Sequence, residues 1–107
     1  MAFTIKQNDT APSLKATLKD GSGTVIDLTN ATVRFHMKAV GATTTKTDRA
    51  SSVIDATNGV VQYNWQPADT DTVGTYTAEF EVTYSDGTIE TFPNDSYLTV
   101  IIRAEIS

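Results

Sequence analysis

His36 is the only histidine in the chain, and the chain has no cysteine, so His36 is the only side chain whose unperturbed titration would fall near neutral pH. Triad-type acyl transfer needs a base oriented by a carboxylate, with a nucleophile beside it. His36 sits in the run Arg34-Phe35-His36-Met37-Lys38, where strand alternation turns it outward between two cations that disfavour its protonated form. The flanking residues supply neither an orienting carboxylate nor a nucleophile. His36 therefore reads as a surface histidine and the chain as non-enzymatic. Asp69 and Asp71, with Asp86, Asn94 and Asp95, are hard oxygen donors of the kind calcium takes. Their spacing matches no calcium loop, and Asp and Asn serve turns by bonding their own backbone, so no metal and no cofactor is expected. Asn8, Asn30 and Asn94 each open an Asn-x-Ser/Thr triplet. The N-terminal MAFTIKQND lacks a basic region followed by an apolar stretch, which predicts no secretory signal and leaves the triplets as chance in a threonine-rich chain.

Composition narrows the function classes further. Eight basic against thirteen acidic residues give a net charge of -5, which disfavours nucleic acid and anionic lipid as partners. There is no phosphate-binding glycine loop and no apolar run long enough to span a bilayer, so a soluble chain is expected. With 107 residues the chain has the size of one domain able to stand on its packing without a disulfide. That domain is expected to span residues 1–107, with 103–107 as a tail or linker.

The elements that must position these residues are short alternating runs separated by turns, with no amphipathic helical pattern. Phe3 and Ile5 mark a first strand, and Leu14, Ala16 and Leu18 a second. Asp20-Gly21-Ser22-Gly23 predicts a hairpin into a strand from Thr24 to Leu28. Val33, Phe35, Met37 and Ala39 alternate with the outward Thr32, Arg34, His36 and Lys38. Residues 41–49 are small and polar, an exposed loop or short edge strand. A strand near Ala50 to Ile54 leads to the turn at Asn58-Gly59, and Val61, Tyr63 and Trp65 resume the alternation. Pro67 to Asp71 suits a helical turn. The strand from Tyr76 to Tyr84 buries Tyr76, Ala78, Phe80, Val82 and Tyr84, and Ser85-Asp86-Gly87 turns it into Thr88 to Phe92, with Glu90 outward and Ile89 inward or at the edge. A last strand, Tyr97 to Arg103, carries the apolar run LTVII. The whole predicts an all-β, immunoglobulin-like antiparallel β-sandwich of about seven to nine strands without a disulfide. Its core includes Phe35, Trp65, Tyr76, Phe80 and Val82.

Gly74-x-Tyr76 after the helical turn resembles the tyrosine corner of such sandwiches. The position where antibody domains carry a cysteine is Ala78, and Trp65 precedes the corner instead of lying on a central strand, so an antibody domain is excluded. Neighbouring strands would set Arg34 and Lys38 against Glu79 and Glu81 as cross-strand charge pairs, each contributing about 0.2 to 1 kcal/mol.

The run from Val60 to Ile102, together with Asp27 to Lys38, resembles the N-terminal domain of phage baseplate upper proteins, found in tailed phages and prophages of Gram-positive bacteria. Its most specific parts are Asn58-Gly59 with Val61-x-Tyr63-x-Trp65, Asp71-Thr72-x-Gly74-x-Tyr76, and the segment from Thr91 to Leu98. The resemblance implies an immunoglobulin-like structural domain of the virion that attaches the baseplate periphery to the tail hub. Its partners would be other tail or baseplate proteins, and it would be a monomer in isolation and a multimer in the virion. The rival readings are a carbohydrate-binding module, which would need an exposed aromatic row, and a cell-surface adhesion module.

Overall fold

A computed structural model describes residues 2–93 and 97–106. Its strands are β1 (Ala2–Lys6), β2 (Leu14–Thr17), β3 (Thr32–Ala39), β4 (Thr47–Asp55), β5 (Val60–Tyr63), β6 (Gly74–Thr83), β7 (Ile89–Phe92) and β8 (Leu98–Arg103), with one 3-10 turn at Pro67–Asp69. Hydrogen bonding links them in the order β1-β8-β6-β3-β4-β5-β2, and β7 pairs with β6. The fold is an immunoglobulin-like β-sandwich. One sheet holds β1, β8, β6, β7, β3 and the first half of β4, while the second half of β4 pairs with β5, and β5 with β2, to make the other.

The nine residues of β4 therefore belong to both sheets. Thr47 to Ser51 lie beside β3, and from Ser52 onward the strand lies beside β5, with the register shifting between Val53 and Asp55. Such an irregularity bends a strand and increases its twist, which lets a single strand turn the corner between two sheets. The polar residues 47 to 49, expected in a loop or short edge strand, are thus the start of this corner strand, and Thr47 is buried. All strand pairs are antiparallel except β1 with β8, where Phe3 lies level with Val100 and Ile5 with Ile102. Arg103, expected to open a tail, is the last residue of β8 and pairs with Lys6.

Alternation sends one face of each strand into a single core. Phe35 of β3 stacks on Tyr63 of β5 with ring centroids 4.4 Å apart, touches Phe80 at 5.3 Å and meets Trp65 edge-on at 5.6 Å. Ring pairs of this kind contribute about 0.5 to 1.5 kcal/mol beyond the area they bury. This cluster holds the two sheets together. Tyr76, Phe80 and Val82 of β6 are buried beside it. Trp65 lies two residues past the end of β5 and is also buried, although its indole N–H meets no acceptor among the described residues.

Two local expectations change. Residues 24 to 28 return from the Asp20 turn without forming a strand. The Leu18 N–H goes to the Gly59 carbonyl, which leaves the returning arm the Lys19–Val25 bridge and the Ile26 N–H bond to the Leu18 carbonyl. In β7 the phase is opposite to the expected one. Glu90 pairs with Val82 and Ile89 with Thr83, so Ile89 is exposed, while Glu90 turns to the inner side and accepts a 2.8 Å bond from the Tyr84 hydroxyl.

The Asn58-Gly59 turn packs against backbone. Gly59 has φ +69°, and a Cβ there would lie 2.7 Å from the Ile26 carbonyl oxygen and 2.9 Å from that of Leu18. Gly87 has a similar φ of +88° but open space around it. Gly59→Ala is expected to cost about 3 kcal/mol or more, from positive φ plus overpacking, and Gly87→Ala only about 1 kcal/mol. Urea unfolding of the two variants measures the difference, and equal losses would remove the backbone-clash argument.

Candidate interaction surface

β3 lies between β6 and β4 and sends Arg34, His36 and Lys38 to the outer face of the sheet. The register sets Arg34 opposite Glu81 and Ala50, His36 opposite Glu79 and Asp48, and Lys38 opposite Thr77. The Arg34 guanidinium bonds to β4. Its Nε donates to Asp48 Oδ1 at 2.8 Å and its Nη2 to the Asp48 carbonyl at 2.9 Å. His36 Nε2 lies 3.1 Å from the same Oδ1. The hydrogen bond from Arg34 is the main cause that holds the Asp48 carboxyl below the usual carboxylate range. Arg34 and Lys38 form no ion pair with Glu79 or Glu81 among the described residues. The charge partner of β3 is Asp48 of β4, from the threonine-rich stretch expected as an exposed loop or short edge strand.

With Thr43 and Thr45 of the β3–β4 connection and Tyr97 just before β8, the outward residues His36, Lys38, Asp48, Thr77 and Glu79 line a groove of about 330 Å³. Tyr97 is 63% exposed. Tyr63 and Trp65 are 1% and 3% exposed and belong to the core, so they form no exposed aromatic row.

At one end of the sandwich the Tyr76 hydroxyl donates to the Thr72 carbonyl at 2.6 Å, and a Cβ on Gly74 would sit 3.6 Å from the Tyr76 ring. Lys46 Nζ reaches Asp71 Oδ1 at 2.7 Å, and this bond is the largest cause of the lowered Asp71 carboxyl. Beneath them Asp69, 2% exposed, accepts bonds from Tyr63 Oη at 2.5 Å, the Gln66 N–H at 2.8 Å and Thr47 Oγ1 at 3.0 Å, and Arg49 Nε stands 3.8 Å away. Asp86 is the one other candidate oxygen donor among the described residues. Asp86 Oδ1 accepts from the Thr88 N–H and hydroxyl, and Asn94 and Asp95 are outside the described residues. Asn8 and Asn30 have φ of +67° and +62°, the left-handed turn geometry that asparagine tolerates.

Residues 2–93 match the family described as the BppU N-terminal domain, that of baseplate upper proteins. The chain belongs to this family. It has a structural role in a phage baseplate, in the tail of the virion and in contact with other tail proteins. Among solved structures, the N-terminal domain of phage TP901-1 ORF48 shares the fold, with a TM-score of 0.64 at 17% identity over 96% of this chain and 85% of that one. Murine CRIg aligns over 97% of this chain and 92% of its own at 14% identity, with a TM-score of 0.39. No curated protein matches the chain.

Asp69→Ala removes the acceptor shared by three donors and is expected to cost about 3 kcal/mol or more, because each buried donor left without an acceptor costs about 1 to 3 kcal/mol. A loss below about 1 kcal/mol in chemical denaturation would mean that the network contributes little to stability. The tyrosines set an alkaline limit. Burial first, then the bond to Asp69, pushes the Tyr63 phenol up, and burial with the Glu90 bond pushes that of Tyr84 up to about 12. Unfolded phenols ionise near 10. The folded state thus keeps protons that the unfolded state releases, and stability present below about pH 10 falls as pH rises towards 12. Tyr84→Phe is expected to flatten that fall in denaturation midpoints. Parallel pH profiles for the variant and the parent protein would refute the assignment.

Proposed function

We propose that this domain attaches the baseplate periphery to the tail hub through protein–protein contacts and performs no catalysis. The family match over residues 2–93 is the observation that carries the reading. The surroundings of His36 support the non-catalytic part. The imidazole faces Asp48, which is already held by Arg34, and no serine or threonine is hydrogen-bonded to it among the described residues.

We place the whole of residues 1–107 in one folding unit, because both sheets share the core built on Phe35, Tyr63 and Phe80. In isolation the domain is expected to be monomeric, and the virion supplies the neighbours that raise its effective concentration. Virions lacking the domain should assemble tails whose baseplates have lost their peripheral organelles in negative-stain images. The purified domain should run as a monomer by light scattering and co-elute with isolated tail hub protein. Intact peripheral organelles on the deleted virions would sink the proposal.

A further inference from the structure

The groove on the outer face of β3 and β6 carries charged and hydroxyl side chains around an exposed aromatic ring. Its walls mix donors and acceptors in near balance, with Lys38 and His36 against Asp48 and Glu79, and hydroxyls from Thr43 and Thr45. Neither Lys38 nor Glu79 has an ion pair or side-chain hydrogen bond among the described residues. Both therefore keep their bonding capacity for a ligand. Beside them stands Tyr97, an aromatic ring left 63% exposed in a groove otherwise lined by threonines, charged residues, His36 and the strand residues Met37 and Ala78.

Each candidate occupant makes a different demand on such a groove. The centre of a protein–protein interface is depleted in charged residues, and this groove is built from them. A drug-like apolar ligand needs predominantly hydrophobic walls. A strongly charged ligand would meet the opposite and the like charge at similar range, because Lys38 and Glu79 line the same space. A neutral polyol ring has none of these conflicts. Its hydroxyls both donate and accept, so ammonium, carboxylate and threonine hydroxyl can each be matched. Its apolar C–H face can cover an exposed tyrosine ring, which otherwise stays wet. At about 330 Å³ the groove falls at the small end of ligand sites.

We propose that this groove binds a neutral sugar ring, with Tyr97 as the stacking platform and Lys38 and Glu79 as hydrogen-bonding partners to its hydroxyls. Glu79 accepts, Lys38 donates, and Thr43 and Thr45 close the loop side. The inference does not depend on the tail hub contact, and either can hold without the other.

Titration of the 107-residue chain with D-glucose, D-galactose and N-acetyl-D-glucosamine, followed by amide chemical shifts, tests it. At least one sugar should bind with a Kd of about 1 mM, as for weak single-ring sites, with shifts confined to residues 36–38, 43–48, 77–79 and 97. Tyr97→Ala should weaken that binding about tenfold or more and Glu79→Gln about tenfold, both with an unchanged far-ultraviolet circular dichroism spectrum. Three results would overturn the proposal: no shift with any of the sugars, shifts that persist unaltered in Tyr97→Ala, or groove shifts produced by isolated tail hub protein but by no sugar.

Discussion

The carboxylate of Asp69 is the constraint on which the rest of the sandwich depends. It is buried, and a buried carboxylate is tolerated only when donors surround it. Here the donors come from separate elements: Thr47 from the corner strand β4, Tyr63 from β5, and the Gln66 N–H from the residue that opens the 3-10 turn. One side chain thus ties together both sheets and the segment that leads into β6. The Tyr63 ring that reaches Asp69 through its hydroxyl also stacks on Phe35, so the polar anchor and the aromatic core share a residue. Displacing the turn would strand the carboxylate and open the stack together. The Tyr76 corner, whose hydroxyl holds the Thr72 carbonyl, then fixes the direction in which the chain leaves that turn.

From this anchored end, β6 runs the length of the larger sheet and determines what its outer face displays. Paired with β3 along one side, and with β8 and then β7 along the other, it sets a row of threonine and glutamate beside a row of cations. Asp48 joins from β4 and takes both Arg34 and His36. The histidine is thereby part of a polar cluster around Asp48 on a structural face, in keeping with membership of a baseplate family. The same sheet geometry leaves Lys38, Glu79 and Tyr97 around a groove with unused bonding capacity. A face can in this way serve a rigid scaffold and still carry a small site.

Most of the strands were legible in the residues. Alternation from Tyr76 to Val82 and from Val33 to Met37 marks the strands and their buried faces correctly, because a side-chain period of two is local information. The turns at Gly23, Gly59 and Gly87 could be read for the same reason, since positive φ is a property of single residues. Residues 47 to 49 could not be assigned as the start of a corner strand, because the hydrogen-bond partner of buried Thr47 is Asp69, 22 positions away in sequence. The arm at 24 to 28 failed as a strand because Gly59, distant in sequence, took the Leu18 N–H. The phase of β7 depended on its register with β6, to which Glu90 and Ile89 offer no local clue.

The candidate face divides along the same line. That Arg34, His36 and Lys38 share one side of a strand, and Glu79 and Glu81 one side of another, follows from alternation alone, and the absence of any thiol chemistry follows from a composition without cysteine. Motif-level likeness to baseplate upper proteins was also present in the linear sequence, around Val61 to Tyr76. The tertiary structure decided which opposite charges meet. Arg34 turns to Asp48 although Glu81 lies directly across from it, and Asp71 pairs with Lys46. It also left Tyr97 exposed. Strand faces are determined by neighbours one or two residues away, whereas pairing and exposure depend on which strands lie side by side, and that is set only when the whole chain has packed.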